Sequence, residues 1–264
     1  MSPDPFEHLS PRLDPNVLFF LDSFVEAVSH YFDAQVIGLE RIPPGPALFV
    51  GNHNSNVVTP DTYLFARAFY HHTQFREPLV GLAHALVFKI PGLRELATKV
   101  GMVSATRENA IHALADDCKV LVYPGGGWEA SRPSADRDRI DFKNRLGFLR
   151  VAATTKSKVI PVVAAGAHDG WHVLTRGEGI AKALGLKRIR VDTFPIAFGW
   201  PFGLVVGPMT PFLPPPLSMI IEVLDPIEVN AEPDDTEGLQ RAYQTVTSQM
   251  QECLSRNAAR LPNR

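Results

Sequence analysis

Short apolar runs alternate with longer amphipathic stretches along most of the chain, and few architectures accommodate that rhythm. The runs at 34–40, 47–52, 79–83, 101–105, 118–124, 158–166 and 219–229 read as strands. The stretches at 60–72, 86–100 (interrupted at Pro91), 107–117, 141–155 and about 235–256 read as helices. Alternation of this kind predicts an α/β domain with a mixed, mostly parallel sheet flanked by helices. No linker or internal repeat divides it, so one domain over 14–264 is expected, preceded by a flexible arm at 1–13 where Pro3, Pro5 and Pro11 discourage helix.

Asp14-Pro15 is a helix-start signal, with Asp as N-cap and Pro in the first turn. The helix it opens runs to about Phe32. Leu18, Leu21, Val25, Val28 and Phe32 fall on one face with Phe20 and Phe24 beside it, an amphipathic pattern. Such a helix either packs on its own domain or lies at a bilayer surface, and its acidic polar face weakens the second reading.

Composition narrows the function classes. A hydrophobic fraction of 45% and a mean hydropathy of -0.02 suit a packed core. A net charge of -2 supplies no global field for nucleic acid, and no nucleic-acid motif is present. The two cysteines, Cys118 and Cys253, read as free thiols in a reducing compartment. The first residues lack the basic and apolar regions of a signal peptide. The most apolar stretches, 16–32 and 193–224, do not read as spanning helices, the second because Pro and Gly interrupt it repeatedly.

In sheets of this kind, sites gather beyond the carboxyl ends of strands. Two loops stand there. In GNHNSNVVTPD (51–61), His53 follows a strand directly, and Thr59-Pro60-Asp61 opens a helix. Asp61 gains stability from the helix dipole whatever else it does. If 54–59 folds back as a loop, the carboxylate can hold one imidazole nitrogen and leave the other free to take a proton. Along a straight helix the two would stand ~12 Å apart. In YPGGGWEASRP (123–133), Gly125, Gly126 and Gly127 form either an ordinary tight turn or a loop whose N–H groups approach a phosphate or oxyanion, and Glu129 and Arg132 add polar groups. G-x-S-x-G, Walker and G-x-G-x-x-G patterns are absent. His168 and His172 have a metal-like spacing but no supporting Cys or second pair, so no metal site is predicted.

Taken in order, Asn52-His53 with Asp61 downstream, GMVSATREN (101–109), VYPGGGWEA (122–130) and KNRLGFLRVAATTKSKVIPVVAAGAHD (143–169) resemble the four blocks of the lysophospholipid/glycerol-phosphate acyltransferase superfamily, over roughly Val36 to Pro226. The Pro-Gly-Gly third block with a nearby Glu is most similar to the branch of diacylglycerol-acyltransferase-like proteins. The resemblance implies an acyl transfer in which His53, oriented by Asp61, deprotonates a lipid hydroxyl that attacks an acyl thioester. Acyl-CoA or acyl carrier protein would be the donor, with no permanently bound cofactor. It further implies substrate-binding roles for Asn52, Arg107 (toward acceptor phosphate), Gly125, Gly126, Gly127, Glu129 and Arg132, with oxyanion donors near Gly125 and Gly126.

Two departures bear on this. The family spaces its His and Asp as H-x4-D, whereas Val58 stands at that place here and the acid arrives at Asp61. The usual third block is Phe-Pro-Glu-Gly-Thr-Arg, whereas Gly125 replaces the Glu and Trp128 the Arg. An apolar ring at 128 favours a less charged acceptor, a diacylglycerol or long-chain alcohol. The basic cluster Lys182, Lys187, Arg188 and Arg190 precedes Phe194, Phe198, Trp200, Pro201 and Phe202, which suits peripheral contact at the cytoplasmic face of a membrane or, alternatively, a buried irregular loop. Two other functions compete: a non-catalytic lipid-binding protein of the same fold, and a thioesterase or lipid hydrolase.

Overall fold

A computed structural model describes residues 14–54, 59–189, 191–207 and 214–262. The proposed arm at 1–13 lies outside them, as do residues 55–58 of the expected fold-back at 54–59. The described chain runs α1 (Pro15–Tyr31), β1 (Asp33–Ile37), β2 (Ala47–Gly51), α2 (Pro60–His72), β3 (Leu79–Ala83), α3 (Ala85–Lys89), α4 (Leu93–Lys99), β4 (Met102–Ser104), α5 (Arg107–Ala115), β5 (Lys119–Val122), α6 (Gly126–Ala130), α7 (Gly147–Thr155), β6 (Lys158–Ala165), β7 (His172–Thr175), α8 (Glu178–Ala183), β8 (Ile196–Gly199), β9 (Gly203–Val206), β10 (Ser218–Val223) and α9 (Thr236–Ala258).

Among the described residues, seven strands form one sheet in the order β1-β10-β6-β2-β5-β3-β4. Pairing is parallel except between β10 and β6. The mixed, mostly parallel sheet of a single α/β domain is therefore present.

The central strand shows why the sheet is covered twice. All five residues of β2 are buried. Ala47 and Phe49 join the core under α1 and α2, whereas Leu48 and Val50 join the core under α5, α7 and α9. Successive side chains of a strand point to opposite faces, so a strand apolar throughout needs a helical layer on each side. Phe49 sits level with Leu121 on β5 and Ile160 on β6. It also meets Phe65 and Phe69 of α2 edge to face at 5.2 and 5.7 Å. That contact fixes α2, and with it Asp61, over the end of β2.

The amphipathic helix is present as α1. Asp14 caps it through a bond from the Asn16 N–H at 3.0 Å. Val25 and Phe32 are buried and Leu18 and Val28 pack beside them, while Phe19, Phe20 and Phe24 face outward. Arg67 and His71 of α2 both reach Asp22, at 3.0 and 2.7 Å.

Three expectations are corrected. The segment 141–155 is helical only from Gly147, because Lys143 and Asn144 take the left-handed conformation (φ 55° and 52°). The glycine stretch is not an open loop: Gly126 and Gly127 form the first turn of the five-residue α6. The irregular apolar region at 193–224 contributes β8 and β9, which with β7 form, among the described residues, a second, three-stranded antiparallel sheet in the order β7-β8-β9.

Candidate active site

β2 ends at Gly51, and the next three residues carry the site. A Cβ on Gly51 would lie 2.5 Å from Tyr123 Cε1, so only glycine leaves room for that ring. The Tyr123 ring in turn stands 4.8 Å from the His53 ring, and its hydroxyl meets Thr62 Oγ1 at 2.6 Å.

Asn52 is wholly buried and bridges to β6. It donates to Ala164 O at 3.0 Å and accepts from Ala164 N at 2.8 Å. Its side chain braces the strand end.

Asn54, also buried, links an acid to a base. Its Nδ2 donates to Asp61 Oδ2 at 2.7 Å, and its Oδ1 accepts from Arg132 Nη2 at 2.7 Å. Arg132 donates further to His53 O at 2.6 Å, Glu129 O at 3.0 Å and Arg137 O at 3.1 Å. At 1% exposure, its guanidinium is an interior clamp directed at protein acceptors. It holds the backbone of the His53 loop and neutralises the buried carboxylates through space. Glu129 clamps the same loop from the other side: Oε2 accepts from the His53 N–H at 2.9 Å and Oε1 from the Asp141 N–H at 3.4 Å. Its side chain folds back over Gly125, where an added Cβ would meet Glu129 Oε2 at 2.5 Å.

Asp61 stands in the first turn of α2, buried, behind an N-cap Thr59 that makes no side-chain cap bond. Its Oδ1 and the Nδ1 of half-buried His53 are each buried with no hydrogen-bond partner among the described residues. The hydrogen bond between them is therefore not made in this structure, although both groups belong to the region bounded by Asn54, Arg132 and Tyr123. Burial, then the charge of Arg132, pushes the His53 pKa down to about 4, so the ring is neutral at pH 7. Burial pushes Asp61 up, offset in part by the Asn54 bond. Burial also pushes Glu129 up to about 7 against the opposing pull of Arg132 and the two backbone N–H groups.

The remaining predicted residues divide. Gly126 spends its N–H on Tyr123 O, so it cannot serve as an oxyanion donor as it stands. The N–H groups of Gly125 and Gly127 have no partner among the described residues. Arg107 opens α5 and lines an open hollow of about 680 Å³ with Arg150, Thr154 and Asp234, which includes no residue of the His53 or glycine segments. The apolar-ring reading of Trp128 also changes. Its indole lies between Lys143 at 4.2 Å and Arg176 at 4.4 Å and donates to Asp141 at 2.8 Å. The position that lost an Arg thus collects two cations against one ring face or the other.

Sequence reasoning passed over Asn54 as loop filler and missed Trp171, whose Nε1 donates to Asn54 O at 3.2 Å. His168, considered above as a metal ligand, is buried between Asn54 O at 2.8 Å and Arg132 O at 3.0 Å. A neutral ring carries a single N–H and so donates to one of these two carbonyls. Burial, then Arg132, pushes its pKa down to about 3. Among the described residues no group of His, Cys, Asp and Glu forms a metal cluster.

Comparison with known proteins bears on this arrangement. A family model described as Acyltransferase matches residues 33–165. An uncharacterised protein of Mycobacterium tuberculosis is 31% identical over 180 residues, covering 67% of this chain and 49% of that protein. A Gallus gallus protein named "DGAT1/2-independent enzyme synthesizing storage lipids" is 30% identical over 180 residues, 67% of this chain and 52% of its own. The chain thus spans about half the length of the curated relatives it matches. The crystal structure of a 1-acyl-sn-glycerophosphate acyltransferase from Thermotoga maritima superposes with a TM-score of 0.51 at 18% identity, covering 88% of this chain and 79% of that one, a likeness of fold.

Proposed function

Because the chain belongs to the acyltransferase family, we propose that it moves a fatty acyl group from an acyl thioester to the hydroxyl of a lipid acceptor, with His53 as general base and Asp61 as its orienting acid. One observation carries this reading. A neutral imidazole and a carboxylate, each with a buried atom that has no hydrogen-bond partner among the described residues, are held on neighbouring elements at the carboxyl edge of the sheet. Unsatisfied buried polar atoms are costly and cluster where chemistry needs them. Catalytic hydrogen bonds are often open before substrate binds.

The reaction follows from that pairing. His53 Nδ1–H donates to Asp61 Oδ1, and Nε2 takes the proton of the acceptor hydroxyl as its oxygen attacks the thioester carbonyl. The tetrahedral oxyanion draws on the N–H groups of Gly125 and Gly127. It collapses with loss of the C–S bond, and the departing thiolate of coenzyme A or acyl carrier protein takes the proton from the imidazolium. An ester C–O bond has replaced the thioester, and no acyl-enzyme forms. The Gallus gallus relative's name supports a neutral glyceride as acceptor. A bilayer-borne acceptor and two buried free thiols support peripheral residence at a cytoplasmic membrane face.

The test is ester formation from acyl-CoA and, in turn, a diacylglycerol, a lysophosphatidate and a long-chain alcohol, followed by mass spectrometry. His53→Ala should lower turnover about 10³-fold with an unchanged melting temperature, and Asp61→Asn should cost less. Near-full turnover by the His53 variant would end the assignment. Thioester loss indifferent to acceptor would mean a hydrolase. A second reading, a lipid-binding protein that kept this fold without the chemistry, draws on the open His53–Asp61 contact. It predicts lipid binding with no ester under any of these conditions.

A further inference from the structure

We propose that the outward face of the β7-β8-β9 sheet, with the tip of its β8–β9 hairpin, docks into a bilayer interface bearing anionic headgroups. This rests on the lipid-acceptor reading above and names the surface that would serve it.

Apart from the exposed His172 and Thr175 of β7, the small sheet is apolar on both faces. Val173 and Ala197 are buried against Trp171, with Val205 packed beside them. Their strand neighbours point the other way, and there an antiparallel sheet facing water carries polar residues. Here Phe198 and Leu204 are cross-strand partners at 47% and 54% exposure, Val206 is 50% exposed, and Leu174 on β7 is 50% exposed. At the hairpin tip Trp200 and Phe202 reach 63% and 60%. Exposed aromatic side chains grouped on one projection mark an interaction surface.

Charge selects the occupant. From His172 to Gly207 the sequence carries five Lys or Arg and two Asp or Glu, a local excess of positive charge in a chain of net -2. Lys182 on α8 and Arg188 just beyond it are exposed, with no ion-pair partner among the described residues. Basic residues on the segment that leads into an aromatic tip complement anionic headgroups over an apolar layer. A second copy of the chain fits less well, because a two-fold contact would bring the same cations against each other.

The sheet is also rooted in the candidate site. Trp171, which bonds Asn54 O, immediately precedes β7. Arg176 donates to Trp128 O at 3.2 Å, and Thr193, ahead of β8, donates to Gly127 O at 3.3 Å. A hairpin seated in a bilayer would thereby hold both site loops at the lipid surface.

Flotation with phosphatidylcholine vesicles, with and without phosphatidylglycerol, tests this on the full chain. The protein should float, and float more with the anionic lipid. Trp200→Glu with Phe202→Glu should lower the partition coefficient at least tenfold. Lys182→Glu with Arg188→Glu should erase most of the anionic preference, at about fivefold per charge lost. In intact protein, brominated lipid should quench a tryptophan component that Trp200→Phe removes, since Trp171 is buried, Trp128 packs against Lys143 and Arg176 at the candidate site, and α1 carries no Trp.

Failure to float, or unaltered flotation of the Trp200/Phe202 variant, would overturn the proposal. So would a solution dimer that the same substitutions dissolve. His53→Ala should float normally. Acyl transfer to a detergent-dispersed acceptor without flotation would therefore sink the docking surface alone, and flotation without transfer the catalytic reading alone.

Discussion

Asn54 is the residue through which the acid of the site is charged and aimed. Its amide stands between a carboxylate and a guanidinium, each at 2.7 Å, and has room for no other arrangement of donor and acceptor. Asn54→Ala removes the side-chain donor to Asp61 Oδ2 and leaves Arg132 with an unspent donor. A loss of about 2–4 kcal/mol is expected in denaturant titration, together with a fall in acyl transfer. Asn54→Asp should be at least as damaging, because two buried carboxylates then share one site and one must take a proton. A variant at 54 with wild-type stability and turnover would show that the relay is idle. His53 and Asp61 were legible because each sits at an element boundary that the local sequence announces. Asn54 was not. Its meaning depends on Arg132, 78 positions away, and nothing within a local window encodes that distance. Arg132 was legible as polar and unexpected, yet its burial reverses its role from binding substrate to holding the loop.

Elements show a parallel division. The strands of the large sheet were readable because each is a short apolar run bounded by turns. The strands of the small sheet were hidden, since β8 and β9 lack the alternation of polar and apolar residues that water on one face would impose. α6 was missed because glycine is a poor helix former, and Gly125 is demanded instead by the Glu129 side chain folded over it. The junction of β2 with α2 carries two tests. Phe49→Ala removes the ring that α2 packs on and should cost about 3–5 kcal/mol in thermal or denaturant unfolding. Gly51→Ala inserts a methyl at 2.5 Å from the Tyr123 ring, which lies against His53. Turnover should fall more steeply than stability, read as kcat against melting temperature. Equal and proportionate losses would reduce Gly51 to a packing residue.

The molecule as a whole is closed by a clamp far from the site. Glu222 on β10 accepts from Asn257 at 2.9 Å, Arg256 at 2.8 Å, Cys253 at 3.3 Å and, from beyond β1, Arg41 at 3.3 Å. Burial pushes its carboxyl upward, but these bonds prevail and hold it down to about 2. A depressed carboxyl contributes stability that is complete above its unfolded value near 4.5 and is lost as pH falls toward 2. Melting temperature should therefore drop through that window. Glu222→Gln should flatten the drop and lower stability at neutral pH by on the order of 2 kcal/mol. An unchanged acid limb in the variant would assign the effect elsewhere. The same strand has a consequence for synthesis. β1 finds its only strand neighbour among the described residues in β10, with Asp33 level with Ser218. On the ribosome, the first of the described strands waits for the last of them before its edge is paired. A nascent chain arrested short of residue 218 should thus remain protease-sensitive at 33–37 even after the central strands have assembled, and sealing that edge should require synthesis through β10.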